Sequence, residues 1–131
     1  MASLPRFGSY TTIPPDEPGM QISKTNYGNV AVLKIEGPVI EDKIESLRET
    51  IVDVVSRGRR KVLLDLQNVP FWDSAALEWL QEFVRTMSFD GTELAVCALN
   101  EVGNDIFKVT LMDTFVLVYE TQEEGLKGMA K

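Results

Sequence analysis

Val62-Leu63-Leu64-Asp65-Leu66-Gln67-Asn68-Val69-Pro70-Phe71-Trp72-Asp73-Ser74-Ala75-Ala76-Leu77 is the stretch whose reading decides the fold. Lys61 to Leu66 is a near-continuous apolar run, the pattern of a strand buried on both faces, as in a parallel sheet. Gln67 to Trp72 reads as a short loop. Asp73 and Ser74 are both good helix N-caps. Ala76, Leu77, Leu80, Phe83, Val84 and Met87 then recur at helical spacing, and Gly91 closes the helix. A buried strand running through a short loop into an amphipathic helix is one unit of an α/β domain.

The same grammar extends in both directions. Met20 to Lys24 alternates like a half-buried strand, Tyr27-Gly28-Asn29 is a turn, and Val30 to Ile35 is a second strand, so the pair predicts a hairpin. Gly37-Pro38 ends it. Ile40, Ile44, Leu47, Ile51, Val54 and Val55 mark one face of a helix, with Gly58 as its C-terminal cap. Downstream, Leu94 to Leu99 is another buried strand, and Asn100 caps a helix carrying Val102, Ile106 and Val109. Phe115 to Tyr119 is the last strand, and Thr121-Gln122-Glu123-Glu124 has the spacing of a capping box opening a final helix. The predicted order is β-β-α-β-α-β-α-β-α, an α/β fold with a mixed, mostly parallel β-sheet, crossover helices and an antiparallel edge. Four of the six prolines lie before Gly19, so residues 1–19 are expected to be a flexible Pro-rich N-terminal tail and 20–131 the domain.

Composition narrows the function. The chain has 131 residues and a net charge of −7, which repels nucleic acid and anionic lipid, so no direct nucleic-acid contact is expected. Histidine is absent, which removes Ser-His-Asp and Cys-His catalysis and most transition-metal sites. Cys97 is the single cysteine, so neither an intrachain disulfide nor a thiolate zinc cluster can form. It lies in an apolar strand and reads as a small core residue. No run approaches the roughly 20 apolar residues of a membrane helix, and residues 1–8 show no signal-peptide core. The expectation is a cytoplasmic protein without membrane insertion, cofactor, metal or catalytic residues.

Sites in open α/β sheets lie beyond the carboxyl ends of strands, which points to the loop from Gln67 to Trp72 and the helix start after it. On a helical wheel Ser74 lies roughly 120° from the centre of the apolar arc, so its hydroxyl is expected to face outward. Gln81, Glu78 and Arg85 share its side, and Trp79 lies at the opposite margin of the arc. The bland alternative is that Phe71 staples the helix and Ser74 merely caps it.

Asp73-Ser74-Ala75-Ala76-Leu77, following Val62-Leu63-Leu64-Asp65-Leu66, resembles the signature of the STAS domain found in bacterial anti-sigma factor antagonists and in the cytoplasmic part of sulphate transporters. Gly91-Thr92-Glu93-Leu94 and Leu111-Met112-Asp113-Thr114-Phe115 resemble the family's entries into its last two strands, so the likeness spans about Met20 to Ala130. It implies that Ser74 is phosphorylated by an anti-sigma factor that is a serine kinase, and that a PP2C-type phosphatase restores the active form. The unphosphorylated protein would then bind the kinase and release its sigma factor, regulating transcription. Partner contacts are expected at Phe71, Trp72, Asp73, Ser74, Ala75 and Glu78. Two positions depart from the family pattern. Ala76 stands where Gly is usual, and Ile40 stands where an acidic residue commonly follows Gly37, with Glu41 next.

Three other readings compete. Asp65 and Asp73 are conceivable as a catalytic carboxylate pair, but no histidine relay or phosphate-cradling glycine run accompanies them, and Asp65 is more simply a partner for amides in the next loop. A phosphoacceptor receiver needs an acidic cluster after the first parallel strand and a lysine after the last, where this chain has Glu36-Gly37-Pro38 and Tyr119-Glu120-Thr121. The remaining alternative is an unregulated interaction subunit of the same fold, a stressosome scaffold or an accessory subunit of a membrane transporter.

Overall fold

The computed structural model describes residues 20–130. The expected tail over residues 1–19 lies outside them. β1 (Gln21–Tyr27) and β2 (Val30–Glu36) pair antiparallel with Tyr27 opposite Val30. Gly28, at φ +64°, takes the first central position of the two-residue turn, where a side chain is disfavoured. The chain continues through α1 (Glu41–Ser56), β3 (Lys61–Asn68), α2 (Ser74–Phe89), β4 (Glu93–Cys97), α3 (Glu101–Val109), a 3-10 turn (Met112–Thr114), β5 (Leu117–Tyr119) and α4 (Gln122–Met129). Among the described residues the sheet has the order β1-β2-β3-β4-β5, and every pair after the first is parallel. This is the mixed, mostly parallel α/β arrangement that the sequence predicts.

Strand alternation divides the interior in two. Leu33, Ile35, Val62, Leu64, Leu66, Leu94 and Val96 meet Leu47, Ile51 and Val54 of α1, Ala76, Leu80 and Met87 of α2, and Phe107 of α3. Val30, Val32, Leu63, Ala95 and Cys97 point the other way, towards Met129 and Leu126 of α4. α4 lies close to the sheet on glycines: a Cβ on Gly125 would come within 2.7 Å of Leu63 Cδ2, and one on Gly128 within 2.6 Å of Tyr119. Cys97 sits in this second layer, and burial, followed by the nearby Asp65 charge, pushes its thiol up to about 12.

β1 runs on to Tyr27 and β3 to Asn68, beyond the expected Lys24 and Leu66, and three further elements differ from their sequence expectation. β5 is Leu117–Tyr119 rather than 115–119, because the amides of Phe115 and Val116 both donate to the Met112 carbonyl, at 2.9 and 3.1 Å, and are lost to the ladder. β4 stops at Cys97 because Ala98 turns left-handed at φ +61°. α3 buries Gly103 and Phe107, while Val102 and Val109, expected on its inner face, are exposed.

Candidate functional site

The loops that leave the carboxyl ends of β2 and β3 are zipped together. The Gly37 amide donates to the Asn68 carbonyl at 3.0 Å, the Val39 amide to the Phe71 carbonyl at 3.1 Å, and the Asp73 amide to the Val39 carbonyl at 3.2 Å. Val39 and Trp72 thus form a short parallel bridge beyond the strands proper. It places the Trp72 ring in the interior, at 5% exposure, edge-on to Phe107 with centroids 5.8 Å apart. Trp72, expected among the partner contacts, is therefore a core residue, corrected by the bridge that turns it inward. Its indole Nε1 is buried without a hydrogen-bond partner among the described residues. Phe71 is 46% exposed, which leaves much of its ring accessible to a partner.

Asp73 does two jobs. Its Oδ1 accepts from the Ala76 amide at 2.8 Å, capping α2, and its Oδ2 accepts from the Glu41 amide at 2.9 Å, capping α1. α1 needs this outside acceptor because its own N-cap position holds Ile40, which has no polar side chain. Asn100 acts similarly on the next loop: its Oδ1 accepts from the Gly103 amide at 2.8 Å, and its Nδ2 donates to the Val69 carbonyl at 2.9 Å. The sequence marks Asp73 or Ser74, and Asn100, as caps; that Asp73 and Asn100 each also tie in a neighbouring loop depends on contacts between distant segments. The signal present for Asp73 was a helix beginning at Ile40 with no cap of its own.

On this platform Ser74 is the first residue of α2 and is exposed. With Asp73 taking the cap, the Ser74 hydroxyl has no hydrogen-bond partner among the described residues. Glu78 is exposed one turn on, Ala75 is half-buried, and Ala76, the position usually Gly, is fully buried. The structure thus brings Phe71, Ser74, Ala75 and Glu78 together as accessible surface, with Asp73 half-buried among them. Trp79, at the far margin, stacks on Phe83 with centroids 4.9 Å apart.

Asp65 and Asp73 are not a pair. Asp65 alternates with Leu64 and Leu66 and so faces the α4 side, while Asp73 serves helices of the opposite layer. The Asp65 Oδ1 accepts from the Gln67 amide at 3.1 Å, as a strand-end carboxylate should. Among the described residues no cluster of His, Cys, Asp and Glu has the arrangement of a metal site, and no helix is long and apolar enough to cross a membrane.

A model of the STAS domain family matches residues 21–125. An anti-sigma factor antagonist from Mycobacterium paratuberculosis has a similar structure, with a TM-score of 0.74 at 20% identity, over 90% of this chain and 98% of that one. An anti-sigma-factor antagonist (STAS) domain protein from Planctomyces limnophilus matches at a TM-score of 0.70 and 26% identity, over 84% and 98%. A sulfate transporter family protein from Wolinella succinogenes matches at 0.68 and 19% identity, over 79% and 87%.

Proposed function

The chain belongs to the STAS domain family, and on that premise we propose that it is an anti-sigma factor antagonist, a binding module rather than an enzyme, switched by phosphorylation of Ser74. The observation that carries the reading is the division of labour between neighbours. Asp73 holds the helix start, which leaves the Ser74 hydroxyl exposed, unpaired and free to be modified without loss of a cap. Unphosphorylated, the surface of Phe71, Asp73, Ser74, Ala75 and Glu78 docks on an anti-sigma factor serine kinase and frees its sigma factor. Trp72 supports that surface from below.

A phosphate adds about −1.5 to −2 charge at neutral pH. The first turn of α2 tolerates it, because the helix dipole favours negative charge there. The interface does not tolerate it, because Asp73 and Glu78 already make the surface acidic and burying a further charge is costly. Removal by a PP2C-type phosphatase restores binding.

The test is incubation with ATP and the kinase, followed by tryptic mass spectrometry. The peptide Val62 to Arg85 contains Ser74 and no other Ser, Thr or Tyr, so its mass alone assigns the site. One phosphate on this peptide is expected; phosphate confined to peptides carrying Thr86 or Thr121 would defeat the reading. The likeness to a sulfate transporter family protein supports a second reading, an unregulated interaction subunit using the same surface. In that case Ser74 stays unmodified and its charge does not govern binding.

A further inference from the structure

At the amino ends of the strands, in a chain of net charge −7, stands the run Arg57-Gly58-Arg59-Arg60-Lys61. Two of its cations are turned away. Arg60 donates to the Asp90 carbonyl at 3.0 Å and to Thr92 Oγ1 at 3.3 Å, and Lys61 Nζ donates to the Met129 carbonyl at 2.6 Å. The other two, Arg57 and Arg59, join Lys24 and Asn26 of β1 and Val54 of α1 around a cleft of about 120 Å³.

Among the described residues, the charges around this cleft do not balance. One carboxylate, Asp53, serves both Lys24 at 3.5 Å and Arg57 at 3.1 Å. Arg59 has no ion pair among the described residues, and its Nε is buried without a hydrogen-bond partner. A buried donor left unpaired is costly and marks a place where an acceptor belongs. The end of α1 does not require these side chains as caps. The carbonyls of Asp53, Val54 and Val55 already accept from the amides of Arg57, Arg59 and Gly58 at 3.0–3.3 Å.

We propose that this cleft binds a small tetrahedral dianion, phosphate or sulfate, either free or as the end group of a small metabolite. The Arg59 guanidinium, which lines the cleft, offers a fork of parallel N–H donors, the geometry that suits two oxygens of one oxyanion. Arg57 and Lys24 add charge, and the Asn26 amide adds a donor. A volume near 120 Å³ is well below the roughly 300–1,000 Å³ of pockets that enclose drug-sized ligands, which limits the occupant to an ion or one end group. The site lies at the other end of β3 from Ser74, on the order of 20 Å away along the strand, so it stands or falls independently of the switch.

The test is titration of the full chain with inorganic phosphate, sulfate and glycerol 3-phosphate, at ionic strength held constant with chloride, followed by the backbone amide resonances. Saturable shifts centred on Asn26, Gly58 and Arg59 are expected. Glycerol 3-phosphate binding as tightly as phosphate identifies an end group; tighter phosphate or sulfate identifies the free ion. Arg59→Gln should weaken binding at least tenfold. Asp53→Asn, which releases Lys24 and Arg57 from their shared carboxylate, should tighten it several-fold. Arg60→Gln, whose guanidinium is engaged elsewhere, should match wild type, as should Ser74→Ala. Equal shifts with chloride alone, or wild-type affinity in both Arg59→Gln and Asp53→Asn, would overturn the site.

Discussion

The starts of α1 and α2 invite comparison, because both helices begin where the chain leaves the carboxyl end of a parallel strand. α1 begins after Ile40 without a cap of its own, and its first turn carries Glu41 and Asp42. α2 begins after Asp73, a complete cap, and its first turn carries no acid. α1 makes good its deficit by borrowing Asp73 Oδ2, so one carboxylate holds both starts. The first turn of α2 is also the less acidic: α3 has Glu101 there and α4 has Glu123 and Glu124, whereas α2 presents the Ser74 hydroxyl. A negative group at Ser74 would add to the charge that Asp73 already sets against the dipole of α2. The difference separates two duties that neighbouring residues in a loop could be mistaken for sharing. Asp73 is structural, and the Ser74 hydroxyl has no structural partner among the described residues.

The largest effect should come from removing what lies beneath both starts. Trp72→Ala empties a buried ring position at the Val39 bridge and should cost about 3–5 kcal/mol in urea unfolding. A cost under about 1 kcal/mol would mean that the ring is not the support of the platform. Asp73→Ala comes next. It removes two acceptors at once and should cost about 1–3 kcal/mol, on a scale where a single cap is worth about 0.5–2. Its sharper signature is hydrogen exchange, with the amides of Glu41 and Ala76 accelerating together. If Ala76 alone accelerated, the shared carboxylate would be refuted. Smallest of the three, Ser74→Asp should leave stability within about 0.5 kcal/mol of wild type, because it adds charge at an exposed, dipole-favoured position. A large drop in Tm would place Ser74 in the structure rather than on the surface.

Much of this arrangement could be read from the residues. The apolar run of β3, a cap at Asp73 or Ser74, the cap at Asn100 and the outward position of Ser74 follow from period and side-chain chemistry alone. Contacts between distant segments could not. Phe71 and Trp72 are adjacent aromatics in one loop, and which of them turns inward depends on pairing with Val39, a residue of another loop. The face of α3 was misjudged because its innermost position is Gly103, where a Cβ would lie 3.1 Å from Leu99 Cδ2; glycine leaves no mark in a hydropathy pattern. The last strand is shorter than its composition suggests, because Phe115 and Val116 suit a strand while their amides are held by the Met112 carbonyl.

The central claim is that charge at Ser74 governs partner binding, and calorimetric titration of the purified kinase with Ser74→Ala and Ser74→Asp proteins tests it most directly. Losing the hydroxyl removes at most one hydrogen bond, about 0.5–1.5 kcal/mol, whereas an unpaired charge buried in the interface costs more. Ser74→Ala should therefore bind nearly as wild type and resist inactivation by the kinase, while Ser74→Asp should lose most of its affinity. Equal affinities for the two variants would place Ser74 outside the interface and contradict the switch.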